Sequence, residues 1–163
     1  MSKKTLLNYA IRVERDGYRF YLHLAKAMTE KKLMDLFHLF AEDELRHEVT
    51  FRKMVEETVL KTEVTESPIS QALQRFLVDM DRLGTKQMEK GMNGELNRDG
   101  LLSLAIQLEK DSIIFYSSLK TLIQDDQRML LEAIIDEEFR HLSRLFAIRQ
   151  GELDTEISGI DDI

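Results

Sequence analysis

The sequence predicts an all-helical fold, a four-helix bundle built from two similar helix pairs joined by a long crossover. Three observations predict it. Apolar residues recur at three- and four-residue steps through four long segments, the signature of helices with one buried stripe. Only one proline occurs in 163 residues and 33% of the chain is charged, a composition suited to long helices in water. The first half also returns in the second: Ala10-Ile11-Arg12-Val13-Glu14, continuing to Phe20-Tyr21 and Leu24, matches Ala105-Ile106-Gln107-Leu108-Glu109, continuing to Phe115-Tyr116 and Leu119.

In chain order, the first helix runs from about Thr5 to Met28, with Leu7, Ala10, Ile11, Tyr18, Tyr21 and Ala25 on its stripe and Glu14 among them. A charged turn, Glu30-Lys31-Lys32, precedes a second helix that reaches about Lys61. Its stripe holds Leu33, Phe37, Phe40, Glu44, His47 and Phe51. Ser67-Pro68 then reads as a helix start, with Ser67 as N-cap and Pro68 in the first turn, where its missing N–H breaks no bond. Ile69, Leu73, Phe76, Leu77 and Met80 carry this extra helix to about Met88, with a disturbance near Gly84. Gly91, Asn93-Gly94 and Asn97-Arg98-Asp99-Gly100 mark a loop. The third long helix spans about Gly100 to Ile123. The fourth follows Gln124-Asp125-Asp126 and ends near Gln150, with Leu130, Ile134, Glu138, His141, Leu145 and Ile148 inward, and Gly151 stops it. The expectation is one domain over residues 1–151, a crossover at 62–99 and a polar, loosely ordered tail at 152–163.

Charge and composition exclude several functions. A net charge of -7 with a pI near 5.2 argues against a nucleic-acid partner, which calls for a basic face. No cysteine occurs, so neither a disulfide framework nor thiolate-bound zinc or iron is available in these residues. The start of the chain lacks an apolar run of signal-peptide length and no segment is apolar enough to span a bilayer, so a cytoplasmic location is expected.

The chemistry concentrates in a repeated motif. Asp43-Glu44-Leu45-Arg46-His47 returns as Glu137-Glu138-Phe139-Arg140-His141, and in each copy a glutamate and a histidine three residues apart share one helical face. A carboxylate oxygen and an imidazole nitrogen suit iron, manganese or zinc. One such pair alone is more readily a solvated surface pair. Here Glu14 and Glu109 add two carboxylates on the facing stripes, so an antiparallel bundle brings Glu14, Glu44, His47, Glu109, Glu138 and His141 together, a ligand set suited to two metals. Four carboxylates in a helical core each carry a desolvation penalty of roughly several kcal/mol unless paired. Two divalent cations balance them, and no lysine or arginine on these stripes does so. His23 and His38 fall off the stripes and read as surface residues. Asp43 and Glu137 are positioned either to accept a ring N–H from a histidine on a neighbouring helix or to remain solvated. Arg46 and Arg140 read as surface salt-bridge partners, and the methionines, Met54 and Met80 among them, as core filler.

The motifs Ala10-Ile11-Arg12-Val13-Glu14, Glu44-Leu45-Arg46-His47, Ala105-Ile106-Gln107-Leu108-Glu109 and Glu138-Phe139-Arg140-His141 resemble those of the ferritin-like superfamily, and within it the rubrerythrin-like proteins. The resemblance covers nearly the whole chain. It implies a di-iron site in which Glu14 and His47 cap one metal, Glu109 and His141 cap the other, and Glu44 and Glu138 bridge. It also implies that Tyr21 and Tyr116, seven residues after Glu14 and Glu109, bond ligand carboxylates and can donate an electron, although simple core packing explains them equally well. Haem-binding relatives carry a methionine where Leu45 stands, so no haem is expected. Full rubrerythrins carry a further glutamate at the position of Ser112, matched by Gly17 in the first half, and a Cys-rich iron domain. Storage ferritins add a fifth helix that the polar tail does not resemble.

The reading implied is a dinuclear iron oxidoreductase, with manganese or zinc as alternative metals, that reacts with hydrogen peroxide or dioxygen. Its electrons come from an external donor protein, and by family analogy it forms a homodimer. A ferroxidase whose substrate is ferrous iron is the alternative within the same chemistry. A metal-stabilised helical interaction module without redox activity is the alternative outside it.

Overall fold

The computed structural model describes residues 2–57, 68–123 and 125–152, and these are helical nearly throughout. Helix α1 spans Lys3–Ala27 and α2 spans Lys31–Glu57. The Ser2 side chain accepts the Thr5 amide at 3.1 Å and so caps α1, an interaction worth about 1 kcal/mol. The short connection at 28–30 folds α2 back along α1 as an antiparallel neighbour. Helices α5 (Arg98–Lys120) and α6 (Asp125–Gln150) form the second hairpin. The hairpins meet through α1 against α5 and α2 against α6. The crossover carries α3 (Pro68–Asp79), a π-helical turn (Met80–Gly84) and α4 (Thr85–Met92), whose backbone stays right-handed helical across both junctions. This segment packs on α5 and touches α1, so it covers the α1/α5 side of the bundle. No described helix is long and apolar enough to cross a membrane.

Several expectations shift on contact with the structure. The disturbance near Gly84 is the π-helical turn, and the helix runs on past Met88 to Met92. Gly91 is not a breaker: a Cβ there would lie 3.0 Å from Leu104 Cδ2, so glycine lets α4 press against α5. Helix α5 starts two residues earlier than expected because the Asn97 side chain accepts the Gly100 amide at 2.9 Å, turning a loop signal into an N-cap. Leu130, expected inward, is 46% exposed, and Ile69, at helical spacing in the extra helix, is 47% exposed. The adjacent residues, Ser70 in α3 and Leu131 in α6, are buried instead. His38 is exposed, and His23 is half-buried on α1 outside the central cluster. The Ser67 cap, the last turn of the second helix beyond Glu57 and the tail from 153 lie outside the described residues.

The core is divided. One apolar cluster gathers Phe20, Leu24, Phe37, Phe40, Leu101 and Leu145 towards the end of the bundle where α1 joins α2. A second gathers Leu6, Leu7, Phe51, Met54, Phe115 and Leu131 at the other end. Between them each of the four long helices places an acid in mid-course, so a polar layer lies between two dry ends.

One buried acid outside that layer was not singled out in the sequence. Glu48 is 7% exposed and accepts hydrogen bonds from Arg15 at 2.9 Å and Arg52 at 2.6 Å, tying α1 to α2. Burial alone would raise its pKa, but the two guanidinium groups outweigh it and hold the carboxyl below its ordinary value. A carboxyl depressed in the native state stabilises the fold above its unfolded pKa of about 4.3, and loses that contribution as pH falls through the native value. Glu48→Gln is therefore expected to cost about 1 kcal/mol at neutral pH, allowing for the half-exposed arginines, and progressively less below about pH 4. Urea melts of both proteins across that range check the sign.

Candidate metal centre

The structure brings all six sequence-selected residues together. Glu14 comes from α1, Glu44 and His47 from α2, Glu109 from α5, and Glu138 and His141 from α6, each no more than 5% exposed. They form two overlapping quartets. Glu14, Glu44, His47 and Glu138 offer donor atoms all within 4.8 Å of one another, as do Glu44, Glu109, Glu138 and His141. Glu44 and Glu138 belong to both. The repeated Glu-x-x-His spacing produces this sharing, because it points a carboxylate and a ring from one helical face at the same space.

The histidine rings fix their own tautomers. His47 Nε2 donates to Glu137 at 2.8 Å and His141 Nε2 donates to Asp43 at 2.9 Å. With the proton held on Nε2, each neutral ring turns the Nδ1 lone pair inward. There His47 Nδ1 lies 3.0 Å from Glu138 Oε1 and 3.3 Å from Glu14 Oε2, while His141 Nδ1 lies 3.4 Å from Glu44 Oε1. None of these contacts is a hydrogen bond. Buried and without hydrogen-bond partners are Glu14 Oε2, Glu44 Oε1, His47 Nδ1, Glu109 Oε2, Glu138 Oε1 and His141 Nδ1, one atom from each residue. Unpartnered buried acceptors are rare and costly. Six facing one another fit a cationic occupant, and the oxygen and nitrogen donors suit iron, manganese or zinc.

The electrostatics of the side chains alone say the same. Burial, and then the charge of Glu14, pushes the Glu44 carboxyl well above its ordinary range. Burial and the charge of Glu44 do the same to Glu138. For His47, burial opposes protonation, but the Glu14 charge, the hydrogen bond to Glu137 and the nearby Glu138 carboxylate overcome it and raise its pKa. The cluster draws positive charge from whatever source can supply it.

Around the six, support crosses between the halves. Tyr21 donates to Glu109 and Tyr116 donates to Glu14, so each hydroxyl bonds a glutamate of the opposite hairpin. Burial and those carboxylates hold both phenols protonated, with pKa values well above the ordinary one. Phe40 stacks on His141 with ring centroids 4.0 Å apart. The arginines expected to be surface partners take a larger part. The Arg46 guanidinium, although exposed, hydrogen-bonds Asp43 and reaches Glu137 at 3.4 Å, tying together the two acids that orient the histidines. Arg140 stands 3.6 Å from Glu137.

In the sequence Gly17 marks only the place of a missing acid. Its role is a close approach: a Cβ there would lie 2.7 Å from Glu44 Oε2. On this side a cleft of about 310 Å3 opens between α1, α5 and the crossover, with Gly17 and Ser112 beside it and Glu44 and Glu109 at its floor. The cleft depends on how the crossover packs, which no local pattern encodes.

Two substitutions test this geometry. Gly17→Ala is expected to leave the melting temperature unchanged or raised, since alanine favours a helix by about 1 kcal/mol, while lowering zinc affinity about tenfold or more as Glu44 is displaced. Glu137→Gln keeps an acceptor for His47 but removes its charge, and is expected to weaken zinc binding by about 10–100-fold. Titration against a competing chelator reads both.

Known proteins share this fold. The rubrerythrin family model matches residues 5–149. A crystal structure described as that of a ferritin-like diiron-carboxylate protein from Thermotoga maritima is similar to this chain, with 27% identity, coverage of 92% of this chain and 95% of that one, and a TM-score of 0.67. A search of curated proteins gave no match. With a bundle of this topology, a carboxylate and histidine cluster at its centre, and a family match over nearly its whole length, the chain belongs to the rubrerythrin family.

Proposed function

We propose that this protein is a dinuclear iron oxidoreductase that reduces hydrogen peroxide, or reacts with dioxygen, using electrons from an external donor protein. The observation that carries the proposal is the pair of quartets sharing Glu44 and Glu138, each of the six residues presenting one unpartnered donor atom. Glu14 and His47 would hold one ion, Glu109 and His141 the other, and Glu44 and Glu138 both. A ferrous pair held there supplies the two electrons of H2O2 + 2 H+ + 2 e- → 2 H2O.

The protein's own groups prepare that reaction. Asp43 and Glu137 orient the histidine rings, and the Tyr21 and Tyr116 hydroxyls fix one oxygen each of Glu109 and Glu14, leaving the other free to bind. The apolar clusters above and below exclude water, which strengthens every charge interaction in the layer. The cleft that ends at Glu44 and Glu109 favours a reactive site over a purely structural one, since structural metal sites are closed and catalytic ones keep an open position. No cysteine is present in the 163 residues to carry electrons inward, hence the external donor.

Protein loaded with ferrous iron without oxygen is expected to hold about two ions per chain and to consume about one peroxide per two ions oxidised, followed by stopped-flow absorbance. Repeated turnover with a reductase and no added iron supports the proposal. Growth of a ferric mineral instead assigns the chain to iron oxidation. Equal stability with zinc and iron, and no reaction with peroxide, assigns the metals to structure alone.

A further inference from the structure

Peroxide and dioxygen have two heavy atoms each, yet the cleft above Glu44 and Glu109 has a volume of about 310 Å3. A dry cavity of about 150 Å3 holds a benzene molecule, so this one accommodates roughly a dozen non-hydrogen atoms. Three helices build it, each with a row of residues four apart. Helix α1 contributes Val13 and Gly17, and α5 contributes Leu108 and Ser112. The crossover contributes Met80, Gly84, Met88 and Met92, a single stripe running through the π-helical turn. Methionine is flexible and polarisable, and suits a wall that adapts to an apolar guest. The half-exposed rim is acidic: Asp16, Asp81 and Glu89 face one arginine, Arg12, which is already paired with Asp81.

We infer that this cleft binds an uncharged, mainly apolar organic molecule of about a dozen non-hydrogen atoms or fewer, with one end against the Glu44 and Glu109 carboxylates. The size comes from the volume, the apolar character from the methionine stripe, and the exclusion of anions from the acidic rim. Any role of this molecule as a substrate rests on the di-iron reading above, whereas its binding does not.

The test uses zinc-loaded full-length protein, calorimetry, and three matched probes: 1-octanol, octanoate and octylammonium. Octanol is expected to bind with one-to-one stoichiometry, and octanoate at least about tenfold more weakly. Gly84 is the natural blocking position, because a Cβ added there meets nothing within 4 Å and its backbone is ordinary right-handed helix. Gly84→Leu is expected to weaken octanol binding at least about tenfold while the melting temperature holds or rises. Should that variant fail to fold, Met88→Ala serves in its place, with octanol affinity shifted and zinc stoichiometry unchanged. Undiminished octanol binding in Gly84→Leu overturns the proposal, as does the absence of octanol binding to wild type. Preferred binding of octylammonium, displaced by manganous ion, also overturns it and makes the cleft a cation entry. Octanol binding without zinc uptake would sink the di-iron reading and leave the cleft standing, and zinc uptake without octanol binding would do the reverse.

Discussion

Six buried acceptors pointed at one another, with the histidine protons committed outward, are the constraint on which this bundle depends. Left to themselves these groups repel, and burial pushes Glu44 and Glu138 towards their protonated forms. Replacing such a layer with leucine would be the simpler route to a stable helical core, since buried ionic groups are weak sources of stability. The chain instead surrounds the layer with groups that hold it in place. Tyr21 and Tyr116 donate to it, Asp43 and Glu137 face its histidines outward, and apolar clusters close both ends. The protein is organised to keep charge-seeking atoms where water does not satisfy them.

The internal repeat gives this arrangement its logic. Each supporting bond runs from one half to the other: α1 to α5 through Tyr21 and Glu109, α5 to α1 through Tyr116 and Glu14, α2 to α6 through His47 and Glu137, α6 to α2 through His141 and Asp43. Neither hairpin can complete the site. Assembly of the centre and docking of the two hairpins are therefore the same event, and a cation binding the layer stabilises the fold by selecting the docked state.

Much of this was legible in the sequence, for reasons that also explain what was not. The four long helices and the inward acids follow from periodicity, because a helix repeats every 3.6 residues and a charged residue on an apolar stripe stands out. Leu130 was misplaced because two adjacent residues can border the same wide apolar stripe, and only packing chooses Leu131 over it. Asn97 and Gly91 read as loop residues because local chemistry does not separate an N-cap or a tight helix crossing from a turn. The seven-residue step from Glu14 to Tyr21 gives the tyrosine's level along the bundle, but not which neighbour it bonds. Arg46 and Glu48 look like solvated charges until Glu137 of α6 and Arg15 of α1 are in place.

The approximate twofold symmetry of the ligands is not shared by their surroundings, and that difference gives the centre a direction. Between α2 and α6, Asp43, Glu137 and Arg46 form a continuous polar seal behind the histidines. Between α1 and α5 the corresponding space is left open by Gly17 and Ser112, and the crossover roofs it without filling it. A glycine at 17 is required there, since any larger residue would move Glu44, one of the two carboxylates common to both quartets. The same small residue thus shapes the ligand cluster and opens the approach to it. A molecule entering by this cleft meets Glu44 and Glu109 first, while the α2/α6 face holds the histidines in place behind them.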